Sequence, residues 1–359
     1  MGFELNLDLK QHINLSAECW NCIYSDIRSF STRARSLTLN GLLNTIISNY
    51  WQDAEASISL RLEEMEDNLK KTLCARSKKD ETIKQLLAIE EKRLRELNTY
   101  SPHGKGKQFL INAKQKDILE LDCNEEEYYG GKAGKYLHSL FEEYARLPYY
   151  KRERIIFDDT VKILNLAIKE GYSVKLNTDG KVFNVQPYKL LSDTDNTYNY
   201  LVGYSAPISK PATDNNNSNA LQKIIASFRL ARISHVTIMY NNRQPLSYTE
   251  AEDIDIAVNE RGVAFLLGKP CTIKAKLSPI GVNLYSVILQ GRPSFTKIND
   301  KQDEEGWTEY EFYCTERQAM NYFTRLGKEA VVTEPASLVT QMIQSLEKSL
   351  ENYKTKSNF

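Results

Sequence analysis

Two arginines, Arg229 and Arg232, lie in an otherwise apolar segment, SFRLARI at residues 227–233, whose pattern predicts a β-strand. Residues 215–249 around them contain no Asp or Glu, so we expect their counter-charge to lie outside this segment. The segment YNYLVGY at residues 198–204 alternates aromatic and aliphatic side chains, as a half-buried strand does. Phosphates would supply the missing negative charge, and tyrosine rings would stack on bases. Together the two segments predict a surface that binds nucleic acid.

These residues resemble the WYL domain, a small Sm-like β-barrel of bacteria that is named for a Trp-Tyr-Leu signature. The signature reads NYL here, at residues 199–201, with VQP at 185–187 before it, VGY at 202–204 after it, and FRL and RI at 228–230 and 232–233 downstream. Asn199 stands where Trp is usual, which removes a ring. Ala231 stands where Asp is usual between the two basic residues, and the loss of that carboxylate predicts a more positive face.

The resemblance implies that the barrel face binds the nucleic acid. Its implied contacts are phosphate clamps at Arg229 and Arg232, stacking rings at Tyr188, Tyr200 and Tyr204, and supporting contacts at Lys175, Lys189 and His235. An alternative remains for the signature itself. Because successive strand residues point to opposite faces, at least one of Tyr200 and Leu201 is expected in the barrel core.

Length and composition indicate which domains must position these residues. With 359 residues and 41% hydrophobic content, the chain is too long for one ordinary core. Its formal net charge is zero, so any basic surface must be local. The residue patterns and the resemblances that they carry imply an α+β fold in four regions: a unit at 1–53 that resembles a ribbon-helix-helix domain, a helical linker at 54–157, the WYL-like domain at 158–249, and a region at 250–359 that resembles a ferredoxin-like dimerisation domain.

The N-terminal order of elements is a strand at 5–15, a helix at 17–30 and a second helix from 39 to about 51. This order resembles the ribbon-helix-helix fold, in which strands from two subunits pair. So small a unit cannot bury its own core, which predicts a homodimer. The resemblance implies that Lys10, His12 and Asn14 enter a DNA major groove, beside a basic turn with Arg33 and Arg35. The alternative is a ribbon that only dimerises.

The remaining pattern predicts a WYL region with a helix at 160–171, a hairpin turn NTDG at 177–180, and strands at 172–176, 182–186, 188–191, 198–204, 228–230 and 235–239. The C-terminal region predicts strands at 271–277, 284–290, 310–314 and 330–332, with helices at 316–326 and 335–353. It resembles the domain that often follows WYL and joins subunits. Its last helix has an apolar stripe suited to dimer contact: Leu338, Met342, Leu346 and Leu350.

A second basic and aromatic run, LPYYKRERIIF at residues 147–157, fits either single-stranded nucleic acid or packing against a neighbouring domain. Catalysis has no local signature, since the four histidines are far apart in sequence. Cys19 and Cys22 form a C-x-x-C without a second pair, so no metal or other cofactor is expected. The cysteine spacing fits a reducing cytoplasm, and no long apolar stretch predicts a membrane span.

Two functions from different classes follow. The full order of domains is similar to the accessory proteins of type VI-D CRISPR systems, which implies binding of single-stranded RNA and stimulation of an RNA-guided RNA nuclease, without catalysis by this chain. The alternative is a transcriptional regulator, in which the ribbon reads duplex DNA and the barrel senses an anionic ligand. The weak basic content of the ribbon strand and the arginines and tyrosines of the barrel favour the first.

Overall fold

A computed structural model describes residues 10–31, 36–72, 79–96, 103–115, 129, 133–193, 197–207, 223–266, 268–299 and 306–356. The chain divides into two compact units, residues 1–161 and 162–359. Among the described helices, none combines the length and the continuous hydropathy that a bilayer crossing requires. The chain has both helices and antiparallel sheets, as the α+β prediction requires.

The first unit is mostly helical, with one pair of strands. Its elements are β1 (Lys10–Leu15), α1 (Ala17–Phe30), α2 (Leu39–Thr72), α3 (Lys79–Glu96), β2 (Lys105–Leu110), α4 (Ala133–Arg146) and α5 (Tyr149–Ile156). Helix α1 begins where the sequence predicts, because the Ser16 side chain accepts a hydrogen bond from the Cys19 N–H at 3.0 Å. Its apolar face, with Trp20 and Ile23, is buried.

Strand β1 has its partner in the same chain, which corrects the premise of the predicted dimer. It pairs antiparallel with β2, from Lys10 opposite Leu110 to Leu15 opposite Lys105. Strand β2 lies in residues 54–157, where the sequence predicts a helical linker. The predicted alternation holds: Ile13 and Leu15 are buried, while Lys10 and His12 are exposed. Because β1 is paired within the chain, the predicted homodimer is not required to complete this sheet.

Helix α2 extends 21 residues beyond the predicted end at residue 51, and it crosses the predicted boundary at residue 53. No Gly or Pro stands in residues 52–72 to end it. Ile58 of α2 and Ile83 of α3 are buried, and Arg95 Nη1 of α3 lies 2.7 Å from Glu55 Oε2 of α2.

The basic and aromatic run at 147–157 has a packing role in the first unit. Arg152 makes two hydrogen bonds to the fully buried carboxylate of Asp26, Nε to Oδ2 at 2.8 Å and Nη2 to Oδ1 at 3.1 Å. The Tyr144 hydroxyl donates to the same carboxylate at 2.8 Å. The ring of Tyr149 contacts that of Phe30, with centroids 5.0 Å apart. Arg152 and Tyr149 of this run therefore pack within the first unit, whereas one of the two predictions from the sequence was packing against the next domain.

The second unit begins with a five-stranded antiparallel sheet of order β6-β5-β4-β3-β7, preceded by helix α6 (Asp158–Glu170). The strands are β3 (Tyr172–Thr178), β4 (Lys181–Ser192), β5 (Asn199–Pro207), β6 (Ile224–Arg229) and β7 (Ile233–Arg243). The edge strands β6 and β7 are consecutive and joined by a three-residue 3-10 turn, Leu230–Arg232. Among the described residues no strand pairing closes the sheet into a barrel.

The predicted NTDG hairpin joins β3 to β4, with Asp179 and Gly180 at positive φ as a type I′ turn requires. Strand β4 replaces the two strands predicted at 182–186 and 188–191, because a bulge at Pro187 lets one strand continue. Position 203 of β5 requires glycine because the backbone of β4 passes close to it: a Cβ there would lie 2.2 Å from the Gln186 carbonyl oxygen. Leu201 is fully buried.

Beyond helix α7 (Tyr248–Arg261) lies a second sheet, of order β11-β8-β10-β9, in which all neighbouring strands are antiparallel. Its elements are β8 (Cys271–Leu277), α8 (Pro279–Val287), β9 (Phe295–Asn299), β10 (Thr308–Cys314), α9 (Glu316–Leu326), β11 (Ala330–Glu334) and α10 (Ala336–Lys356). This is the element order of the ferredoxin-like split β-α-β motif.

One predicted element of this region is wrong. Residues 284–290 do not form a strand, because most of them belong to helix α8 or follow it directly. Ser278 caps that helix by accepting a hydrogen bond from the Gly281 N–H at 3.0 Å, and Pro279 occupies the first helical turn. The Ser-Pro pair was the available signal. The next strand along the chain, β9, begins after these residues, at Phe295.

Candidate nucleic-acid interface

A cleft of about 810 Å³ lies within the second unit, between the five-stranded sheet and the C-terminal α+β region. This volume is in the upper part of the range of about 300–1,000 Å³ that is usual for ligand sites. Three acidic residues line it, Asp179, Asp193 and Glu260. Its basic residues are more numerous: Lys181, Arg229, Arg232, Arg261, Arg292, Arg317 and Arg325. The lining is therefore positively charged although the whole chain is neutral.

One side of the cleft, which we call the sheet wall, consists of Tyr198, Tyr200, Arg229 and Arg232. Strand β6 ends at Arg229, and the 3-10 turn ends at Arg232, so both arginines lie at one corner of the sheet. The guanidinium Cζ of Arg229 lies 3.6 Å from the centroid of the Tyr198 ring. This is a close cation–π stack, which holds the flat guanidinium in a defined orientation.

Two of the three acidic residues are engaged by protein groups. Asp179 Oδ2, at the tip of the β3–β4 hairpin, lies 3.6 Å from Arg232 Nη1. Both side chains are about half exposed, so solvent screens this pair. The Asp193 carboxylate accepts hydrogen bonds from the Thr197 N–H at 2.6 Å and the Tyr198 N–H at 3.3 Å. These bonds fix the backbone of Thr197 and Tyr198, directly before strand β5.

The opposite side, which we call the C-terminal wall, consists of Arg292, Arg317, Asn321 and Arg325. Arg317, Asn321 and Arg325 are spaced four residues apart on α9, so they share one helical face, and all three are exposed. Arg292 lies in the turn before β9, with its Cζ 5.3 Å from the Tyr285 ring centroid. No local sequence pattern identified Arg292, Arg317, Asn321 or Arg325 as contact residues.

Of the predicted contact residues, the structure brings Arg229, Arg232 and Tyr200 together in the cleft. Tyr200 is half-buried and also packs against the core beneath α7. Tyr188 and Lys189 lie elsewhere, at the bulge of β4. The Tyr188 hydroxyl donates to Asp255 Oδ2 of α7 at 2.8 Å, and Lys189 Nζ lies 3.4 Å from the same atom. Both side chains therefore hold α7 against the sheet.

The other predicted residues are also outside the lining of the cleft. Tyr204 packs against the α7 core, and burial raises the pKa of its hydroxyl. Lys175 and His235 are exposed on neighbouring strands β3 and β7, away from the cleft lining. Lys10, His12 and Asn14 belong to the first unit. The predicted contacts Arg33 and Arg35 lie outside the described residues.

The ring nearest the arginines is Tyr198, which precedes the signature. Asn199, at the usual Trp position, is fully buried and accepts a hydrogen bond from the Ser192 hydroxyl at 3.2 Å. A side chain at position 199 therefore points into the protein, while Tyr198 lines the cleft. Ala231, at the usual Asp position, is also buried. The sequence signal for Tyr198 was present in YNYLVGY, but strand alternation alone does not decide which tyrosine meets Arg229.

The arrangement can bind an anion and stack a ring. Among the described residues, no group of His, Cys, Asp and Glu side chains is placed to hold a metal ion. Cys19 is buried, and its thiol donates to the Phe141 carbonyl oxygen at 3.4 Å. Burial raises the pKa of the Cys22 thiol to about 11, so this thiol is protonated at neutral pH.

The C-terminal region, which contributes one wall of the cleft, is similar to a known domain family. Residues 269–350 match the WCX domain family. The fold of the whole chain is similar to a solved structure described as that of a CRISPR Cas-related protein. The match has a TM-score of 0.67 and 20% identity, and it covers 99% of this chain and 97% of that one. At this identity the likeness establishes the fold.

A second solved structure that matches part of this chain is that of the proteasome accessory factor B/C of Arthrobacter aurescens. The match has a TM-score of 0.28 and 13% identity, and it covers 69% of this chain and 37% of that one. No curated protein is similar to the chain in sequence. The WCX domain is WYL-related, so the match at residues 269–350, together with the nearly full-length fold likeness, supports the resemblance to WYL-domain proteins.

Proposed function

We propose that this chain is a non-catalytic accessory protein that binds single-stranded RNA in the cleft and stimulates the RNA-guided RNA nuclease of a type VI-D CRISPR system. The observation that carries the proposal is the stack of Arg229 on Tyr198, beside Tyr200 and Arg232, in a lining with seven basic and three acidic residues. Cations that bind phosphates and rings that stack on bases are the two components of single-strand recognition.

A single strand fits this cleft better than a duplex does. The partly exposed aromatic residues Phe183, Tyr198 and Tyr200 line the same cavity as the arginines. A base can reach them only when it is unstacked and unpaired, which is the state of single-stranded RNA. A cavity of about 810 Å³ accommodates a few nucleotides and not the full width of a double helix.

The CRISPR assignment has two supports. The solved structure that is similar over nearly the whole chain is described as a CRISPR Cas-related protein. The type VI-D class and the stimulated nuclease come from the resemblance in domain order. In this proposal the protein acts in the cytoplasm and has no catalytic residues of its own.

The finer architecture is part of the proposal. In this proposal the five-stranded sheet corresponds to an incompletely closed Sm-like barrel, whose two edge strands are joined by only three residues at one corner. The N-terminal strand and helices correspond to a ribbon-helix-helix unit, with β2 in the position of the partner strand. The C-terminal domain dimerises the chain, and helix α10 offers exposed Ile343, Leu346 and Leu350 for this contact.

The alternative is a transcriptional regulator that binds duplex DNA. The observation in its favour is that β1 and β2 form a two-stranded ribbon with Lys10 and His12 exposed, and such ribbons can enter a major groove. The exposed basic content of β1 is small, whereas the cleft has seven basic residues. Because of this difference in basic residues, we favour binding of single-stranded RNA in the cleft over binding of duplex DNA by the ribbon.

Fluorescence anisotropy tests the proposal with a fluorescent single-stranded RNA and a duplex DNA of equal length, across a salt series. We expect tighter binding of the RNA, weak sequence preference and strong salt dependence. Equal or tighter duplex binding would favour the regulator. Stimulation is measured as target RNA cleavage by a type VI-D nuclease with and without this protein, and an unchanged cleavage rate would exclude the accessory role.

A further inference from the structure

We propose that the C-terminal domain forms half of the RNA-binding site, in addition to any role in joining subunits. Arg292, Arg317 and Arg325 of the C-terminal wall bind phosphates of the same strand whose bases and phosphates the sheet wall holds. This inference rests on the proposed function, because it assigns further contacts to the same ligand. The WYL resemblance implied contacts on the sheet only.

Two of these arginines are positioned by the core of the C-terminal domain. Tyr285 and Tyr322 contact each other edge to face, with ring centroids 5.8 Å apart, and Tyr322 is fully buried. Arg292 lies over the Tyr285 ring, and Arg325 Cζ lies 5.7 Å from the Tyr322 ring centroid. Buried rings that cannot move therefore anchor two guanidinium groups, which lowers the entropy that these side chains lose on binding.

Backbone groups complete the positioning of both side chains. Arg292 Nη1 donates to the Tyr285 carbonyl oxygen at 3.4 Å, and Arg325 Nε donates to the Asn321 carbonyl oxygen at 3.0 Å. Gly291, with φ of 68°, brings the turn against Arg325: a Cβ there would lie 3.2 Å from Arg325 Nη2. The two guanidinium groups are therefore close to the same turn, although like charges repel. A bound anion between them would relieve that repulsion.

Helix α9 presents only basic and amide groups to the cleft. Its single acidic residue, Glu316, is held by α10, since it accepts hydrogen bonds from the Ser337 hydroxyl at 2.5 Å and the Gln341 amide at 3.2 Å. The carboxylate is thereby directed away from Arg317, Asn321 and Arg325. A solvated helix face normally mixes both signs of charge, and this face does not.

The spacing on α9 suits consecutive phosphates of one strand. Arg317 and Arg325 are eight residues apart, or about 12 Å along the helix axis. A fully stacked strand, which rises about 3.4 Å per nucleotide, covers this length with three to four nucleotides, and a strand with unstacked bases is more extended and covers it with fewer. The C-terminal wall therefore follows a short stretch of backbone, while Tyr198 and Tyr200 of the sheet wall receive bases.

The test uses the full-length Arg317→Ala, Arg325→Ala variant and a fluorescent eight-nucleotide oligouridylate, with anisotropy across a salt series. We expect at least tenfold weaker binding and a slope of log affinity against log salt that is smaller by about 1.4, since each single-strand phosphate contact contributes about 0.7. Arg317→Lys with Arg325→Lys retains both charges and should recover most of the affinity. The control variant, Lys297→Ala with Lys348→Ala, removes two exposed lysine side chains of the same domain that lie outside the cleft.

The outcomes separate this inference from the proposed function. In one outcome the wild type binds the oligonucleotide, the Arg229→Ala, Arg232→Ala variant binds it more weakly, and the α9 variant binds it as tightly as the wild type does. The inference is then wrong and the proposed function stands. If the control variant weakens binding and lowers the salt slope as much as the α9 variant does, the effect is general charge and the inference is also wrong. A wild-type protein that binds no single-stranded RNA overturns both. Equal melting temperatures of the variants establish that a loss of affinity is not a loss of fold.

Discussion

The guanidinium Cζ of Arg229 lies 3.6 Å from the ring centroid of Tyr198, the residue that precedes the WYL-like signature. The stack couples a cation to a ring at one edge of the cleft. Asn199, at the signature's first position, is buried and has no ring, and the ring that contacts Arg229 belongs to the residue directly before strand β5. The ring that supports the cation therefore comes from outside the signature.

Replacement of both Arg229 and Arg232 by Ala should weaken binding of single-stranded RNA by roughly 2 kcal/mol or more, because charge-assisted hydrogen bonds contribute about 1.5–3 kcal/mol each. Anisotropy measures the affinity, and circular-dichroism melting measures the fold. Lys10→Ala with His12→Ala is the control on the ribbon. A loss confined to this control would move the binding site to the N-terminal unit.

Tyr198→Ala should weaken RNA binding about tenfold, because it removes a stacking ring and the support of the Arg229 guanidinium, and stacking of one base is worth about 1–3 kcal/mol. Tyr198→Phe keeps the ring and should bind nearly as well as the wild type. Titration of both variants with the same RNA distinguishes the ring from the hydroxyl. Equal losses in the two would assign the role to the hydroxyl group.

Asp179→Asn should strengthen RNA binding by roughly two- to fivefold at low salt, because it releases Arg232 from a half-exposed pair at 3.6 Å, and such pairs are worth about 0–1 kcal/mol. The gain should disappear at high salt, where the pair is screened. Glu252→Gln, an exposed acid outside the cleft, serves as the comparison. If both variants gain equally, the effect reflects net charge and not the Arg232 pair.

Arg152→Ala should destabilise the first unit by about 3–5 kcal/mol, because it leaves the buried Asp26 carboxylate without its cation. A lysine ammonium cannot reproduce the two-point geometry of the guanidinium, so Arg152→Lys should recover little stability. Chemical denaturation measures the effect, with the exposed Lys151→Ala as control. A well-folded Arg152→Ala variant with weakened RNA binding would return the 147–157 run to the binding surface.

The chain should be a homodimer, with a mass near twice 41.3 kDa in light scattering at micromolar concentration. The contact is expected on the outer half of α10, because Leu338 is buried in its own domain whereas Ile343, Leu346 and Leu350 are more than half exposed. Leu346→Asp with Leu350→Asp should give monomers, and Glu347→Gln with Lys348→Gln should not. A monomeric wild type would refute the dimer.

Local patterns were informative wherever short-range chemistry decides the structure. The NTDG turn predicted the β3–β4 hairpin, the Ser16 cap predicted the start of α1, and the predicted bounds of β8 and α9 agree with the structure. The pattern failed at α8, where apolar residues in a short run fit a strand or a helix equally well. It also missed β2, because the partner of β1 lies about 95 residues away.

The sequence by itself determined the mixed α and β fold and the WYL-like motifs, and these motifs drew attention to Arg229 and Arg232, since each depends on residues that are near one another in the chain. Only the tertiary structure decided that Tyr188, Lys189 and Tyr204 support α7, that Tyr198 meets Arg229, and that α9 supplies a second wall. The physical reason is that a cleft is formed by side chains of segments far apart in sequence, and which faces meet depends on the packing of whole domains. No local pattern contains that information.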